Sequence, residues 1–84
     1  SEPVRPDLSA VAEAMAQQRA FTELHCKDVV ADRALRSDHM LDWEDGLYSE
    51  YKVWIQGCGK QMTYLVVCRP EQDCLFADQQ PDVE

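Results

Sequence analysis

Four cysteines in a chain of 84 residues, Cys26, Cys58, Cys68 and Cys74, constrain this sequence more than any other feature. A single domain of this size buries only roughly 60–65% of the surface its unfolded chain exposes, so apolar burial alone leaves it marginally stable. An even number of cysteines in so short a chain fits a disulfide framework made in an oxidising compartment. Which cysteines pair is then a question of reach, and reach depends on the strands and turns between them.

The hydrophobic pattern supplies those elements. "SEPVRP" carries two prolines, which keep a helix from starting, and residues 1–6 are expected to be a flexible lead-in. From Leu8 the composition turns to helix formers. Leu8, Val11, Ala12 and Met15 share one face, Ala16 widens it, and Phe21 and Leu24 extend the packing, which predicts a helix over residues 8–22. Asp7 or Ser9 is placed to cap its first amides. Residues 27–46 are ambiguous between a strand, a helical turn and a loop: Val29-Val30 reads as the start of a strand, and "ADRALRSDHML" supports a helical turn equally well. From Leu47 the period becomes two. Leu47, Tyr51, Val53 and Ile55 lie on one face, with Glu50, Lys52, Trp54 and Gln56 opposite. "KQMTYLVVC" reads as a central strand and "CLFAD" as a short last one. "QGCGK" and "RPEQD" are the reversals between them, and residues 79–84 form a polar tail. The expectation is a single α+β domain over residues 7–78, one N-terminal helix on an antiparallel sheet of three to four strands.

Strand lengths rank the pairings. Cys58 and Cys68 stand at opposite ends of one strand, roughly 33 Å apart when extended, whereas a disulfide needs Cα atoms within about 7 Å. That pairing fails, and Cys26–Cys74 fails with it. Cys58–Cys74 requires the last strand to begin at the wrong end of its neighbour. Cys26–Cys58 and Cys68–Cys74 remain, the first tying the helix exit to the central turn. The same lengths keep the four sulfurs from gathering on one zinc ion, and no Cys-x2-4-Cys knuckle is present. No Cys-x-x-Cys opens a helix, as thiol–disulfide exchange requires.

The residues from Leu24 to Phe76 resemble a pattern of small exported bacterial proteins, many of them lipoproteins. It comprises Leu24-His25-Cys26, then Tyr51 through Gly57-Cys58-Gly59-Lys60, then Tyr64, Cys68 and Cys74-Leu75-Phe76. The resemblance implies a disulfide-bonded α+β fold in a periplasmic or extracellular setting, and it carries over no catalytic residue. This chain departs from the pattern in the longer segment between its first two strands.

Charge narrows the partners. A net charge of −8 opposes nucleic acid, which needs a basic footprint, and adsorption to anionic membranes. No apolar run nears the roughly 20 residues that span a bilayer, so no membrane insertion is expected. The opening "SEPVRPD" has neither the basic nor the apolar region of a signal peptide, so any export signal or lipid anchor is expected upstream of Ser1. His25 and His39 have no nucleophile motif beside them, and "DWEDG" lacks the calcium-loop ligand pattern. Neither a catalytic residue, a metal nor a cofactor is expected.

One constellation reads as a docking surface. Asp38, Asp42, Glu44, Asp45 and Glu50 lie with no base between Arg36 and Lys52, and Trp43, Tyr48 and Trp54 are in or beside them. Acids steer a basic protein and exposed aromatics anchor it. The leading expectation is a non-enzymatic module that binds a basic protein, as inhibitors and immunity proteins do. The alternative is an accessory part of a cell-envelope assembly.

Overall fold

One helix lies across one face of a four-stranded antiparallel sheet in the computed structural model, which describes residues 7–40, 47–69 and 73–79. Helix α1 is Ser9–Glu23. The strands are β1 (Val30–Met40), β2 (Leu47–Gly57), β3 (Lys60–Cys68) and β4 (Cys74–Phe76), and a 3-10 turn, Ala77–Gln79, follows. They are ordered β1-β2-β3-β4, so each strand pairs with its neighbour in sequence. The lead-in at residues 1–6 and most of the polar tail lie outside the described residues.

The helix buries a ridge of small residues. Leu8, Ala12, Ala16 and Ala20, each four positions apart, pack on Tyr51, Val53 and Ile55 of β2 and on Tyr64 and Val66 of β3. Alanine lets the helix axis come close to the sheet, and the larger strand side chains fill the layer. Met15 and Leu24 complete the contact, as expected. Val11 and Phe21 do not, at 43% and 49% exposure. The repeat of four selects the alanine ridge and turns both of these side chains toward water.

Both helix ends are held from outside the helix. The buried Tyr51 phenol on β2 accepts the Leu8 N–H (Leu8 N to Tyr51 Oη 2.9 Å), and Asp7 Oδ1 accepts the Ser9 N–H at 3.0 Å. That second bond keeps the Asp7 carboxyl below its ordinary pKa. At the other end His25 takes φ 51, and the Cys26 N–H reaches back to the Phe21 carbonyl. This left-handed residue after the C-cap is the Schellman arrangement, with histidine where glycine is usual.

The ambiguous segment resolves as β1, an 11-residue strand at the sheet edge. Its register with β2 shifts between Ala31 and Arg33, so Asp32 is the extra residue of a β-bulge. Beyond the bulge Ala34, Arg36 and Asp38 share the helix side, while Arg33, Leu35, Ser37 and His39 face outward. An edge strand that buries only half of one face needs few large apolar residues, which is why its alternation is weak in the sequence.

The disulfides are Cys26–Cys58 and Cys68–Cys74, with Cα separations of 6.0 and 4.1 Å, and none of the four cysteines is free. The turn in "QGCGK" contains Cys58 and Gly59 alone, at φ 52 and φ 72, and Gly57 pairs with Lys60 across its base. Two successive positive φ values are those of a type I′ hairpin. Gly57 serves a different purpose. A Cβ there would stand 2.9 Å from Val29 Cα and 3.1 Å from Cys26 Sγ, so its bare backbone makes room for the segment that Cys26 staples down.

Candidate functional site

The β1–β2 hairpin carries the proposed docking residues, and its register decides where each one points. The strands pair as far as Met40 and Leu47, and residues 41–46 connect the two in sequence. The Cys26–Cys58 staple is at the opposite end of β2, about ten residues or roughly 34 Å away. Asp42, Trp43, Glu44 and Asp45 fall in that connection, outside the described residues.

The remaining four residues divide between the two faces of the sheet. Asp38 is on the helix side, where its Oδ1 accepts the Arg36 Nε–H at 2.9 Å and the Ser49 hydroxyl at 2.7 Å. It therefore ties β1 to β2 at the neck of the hairpin, and it holds the Arg36 guanidinium more firmly protonated. Tyr48, Glu50 and Trp54 are on the outward side. Tyr48 stacks on His39 with ring centroids 5.0 Å apart, and the His39 Nε2 stands 3.8 Å from a Glu50 carboxylate oxygen, beyond hydrogen-bond reach.

Trp54 has cationic neighbours rather than acidic ones. The Arg33 guanidinium lies 4.2 Å from the ring centroid and the Lys52 ammonium 5.2 Å from it, both within cation–π range. Alternation along β2 placed Trp54 on the outward face, but Arg33 arrives there only because the Asp32 bulge sets the parity of β1. A shallow groove of about 380 Å³ runs beside the ring toward Asp32, Gln56, Gln61 and Thr63.

Much of the outward face is exposed among the described residues, although Val67 on β3 is buried at 6% exposure. Leu35, Leu65 and Leu75 are 57%, 40% and 36% exposed, and they stand on β1, β3 and β4 with Lys52 between the first two. Antiparallel sheets commonly leave one face to water, but leucines spread over three strands make this one less polar than a solvated face needs to be.

A second polar cluster was only half legible in the sequence. Arg19 and Glu23, four apart on α1, pair along the helix, with Arg19 Nε to Glu23 Oε2 at 3.0 Å, a pair absent from the expectations above although its spacing shows in the sequence. The guanidinium also grips Asp78 with two hydrogen bonds (3.0 and 2.7 Å) and lies over the Phe76 and Tyr64 rings. The Tyr64 hydroxyl donates to Glu23 at 2.7 Å. Burial first, then that bond to a carboxylate, push the Tyr64 pKa up to about 12, while the phenol and Arg19 hold Glu23 below its ordinary range. The cluster clasps the 3-10 turn Ala77–Gln79 to the helix.

Among the described residues no group of three or more His, Cys, Asp or Glu is arranged to hold a metal ion. Among them, too, no helix is long and apolar enough to cross a membrane. The two disulfides fit an oxidising location. The chain matches no protein-family model, no curated protein and no solved structure.

Proposed function

We propose that this domain is a non-enzymatic binding module of the periplasm or the cell exterior, which docks a basic protein through the acidic connection of its β1–β2 hairpin. The observation that carries the reading is the construction of the hairpin neck. Pairing continues to Met40 and Leu47, Asp38 bridges Arg36 and Ser49, and His39 stacks on Tyr48. The stem fixes the two strand ends between which Asp42, Trp43, Glu44 and Asp45 fall in the sequence, and a fixed attachment lowers the ordering cost of binding. The net charge of −8 supplies long-range attraction to a basic surface, and Trp43 supplies an anchor. The disulfides and the resemblance to small exported bacterial proteins support the compartment.

The test is capture from a cell-envelope extract by the immobilised domain and by its Asp42→Lys/Glu44→Lys/Asp45→Lys variant. The reading expects basic proteins that bind wild type at low salt, elute as salt rises, and are absent from the variant. Equal capture by the variant, or a catch with no excess of basic proteins, contradicts it.

A further inference from the structure

We propose that the open face of the sheet packs against the same face of a second copy of this chain, with the two β2 strands antiparallel. The described carboxylates leave this face nearly free of negative charge. Glu50 is the one acid at an outward-facing paired position of the described strands, and Asp32 is at the bulge on the rim. Arg33 and Lys52 offset them. Two copies meeting here bring few of the described carboxylates together.

The pairing register makes the face complementary to itself. Across the sheet the outward side chains form rows: His39 with Tyr48, then Ser37, Glu50 and Val67, then Leu35, Lys52 and Leu65, then Arg33, Trp54 and Thr63. A two-fold axis that crosses β2 at Tyr51 lays each of the two middle rows on the other. Lys52 then meets Glu50 of the second copy, exposed Leu35 and Leu65 lie over the row that holds its Ser37 and Glu50, and the Trp54 row meets the Tyr48 row. Both the charged and the aromatic positions find partners in one arrangement. Three strands of about ten residues cover roughly 500 Å² per copy, about 1,000 Å² in all, which reaches the lower limit for a specific interface. The dimer is therefore a weak one, with a dissociation constant in the micromolar range.

Sedimentation velocity over a concentration series tests this, with circular dichroism to establish that each variant is folded. Wild type is expected to pass from monomer to dimer. Lys52→Glu and Glu50→Lys each place like charges opposite one another and weaken the dimer at least about ten-fold, while the double exchange restores it to within about three-fold. The acidic-connection variant Asp42→Lys/Glu44→Lys/Asp45→Lys retains full self-association, so a failure here is distinct from a failure of the partner reading. Wild type that stays monomeric to about 1 mM, a dimer indifferent to both single reversals, or a double exchange without rescue overturns the proposal. So does a monomer whose face captures a different protein and loses it on Leu65→Glu.

Discussion

Removing the Cys26–Cys58 bridge with Cys26→Ala/Cys58→Ala is the perturbation whose size the structure specifies best. The bridge closes a loop with a sequence separation of 32, which on loop-entropy grounds contributes about 3.7 kcal/mol. The Cys68–Cys74 bridge, with a separation of 6, contributes about 2.2 kcal/mol on the same grounds. The larger loop holds all of β1 and all of β2, so its closure restrains the edge strand β1, only half of one face of which is buried. Domains of this length have a total stability of roughly 4–13 kcal/mol, which makes the first loss a large fraction of the whole. Urea unfolding followed by circular dichroism and tryptophan fluorescence measures it. With a slope near 1 kcal/mol per molar, the midpoint falls by about 4 M for the first variant and about 2 M for Cys68→Ala/Cys74→Ala. A first variant within about 1 kcal/mol of wild type, or less affected than the second, refutes the view that the staple is what makes so small a core sufficient.

Other consequences follow from single contacts. Gly57→Ala drives a methyl group into Val29 and the stapled Cys26, costing about 1–3 kcal/mol. Gly59→Ala meets no atom within 4 Å and pays only for its φ of +72, about 1 kcal/mol, so thermal melts should rank Gly57→Ala as the worse of the two. Tyr51→Phe leaves the buried Leu8 amide without its acceptor, at a cost of about 1–3 kcal/mol, and hydrogen exchange at that amide should accelerate. Tyr64 has a raised folded-state pKa, so its contribution is complete below the ordinary tyrosine value and lost as pH rises through about 12. Absorbance titration near 295 nm should show this late phenol, and Tyr64→Phe should abolish it. Glu23 has the opposite sign. Its lowered pKa gives a contribution present above the ordinary carboxylate value and lost as pH falls through the folded one, and Tyr64→Phe should reduce that acid-side loss.

How much was legible depends on how strongly each element must declare itself. The helix reads at 8–22 and forms at Ser9–Glu23, and β3 forms over the residues that its apolar run marks. Both cysteine pairs follow from the reach of those elements, because a nine-residue strand cannot bring its ends together. The sequence of β1 is ambiguous, since an edge strand with Ala31, Ala34 and an outward Leu35 has no consistent alternation, and a bulge breaks what there is. That one gap accounts for most of what the sequence misjudged at the site. Without the parity of β1, neither the inward turn of Asp38 nor the approach of Arg33 to Trp54 is visible. The two glycines of "QGCGK" looked alike as turn formers, yet Gly57 answers to a neighbour 31 positions earlier in one direction and Gly59 to its own backbone. The Tyr51 bond to the helix start joins residues 43 apart and has no local signature at all.

Non-reducing peptide mapping of protein taken from its own cells, with thiols blocked at lysis, tests the account most directly. It reads the framework and the compartment in one experiment. The account predicts Cys26 joined to Cys58 and Cys68 joined to Cys74, with no blocked thiol at any of the four. Cys58 recovered as a free thiol, or joined to Cys74, contradicts it.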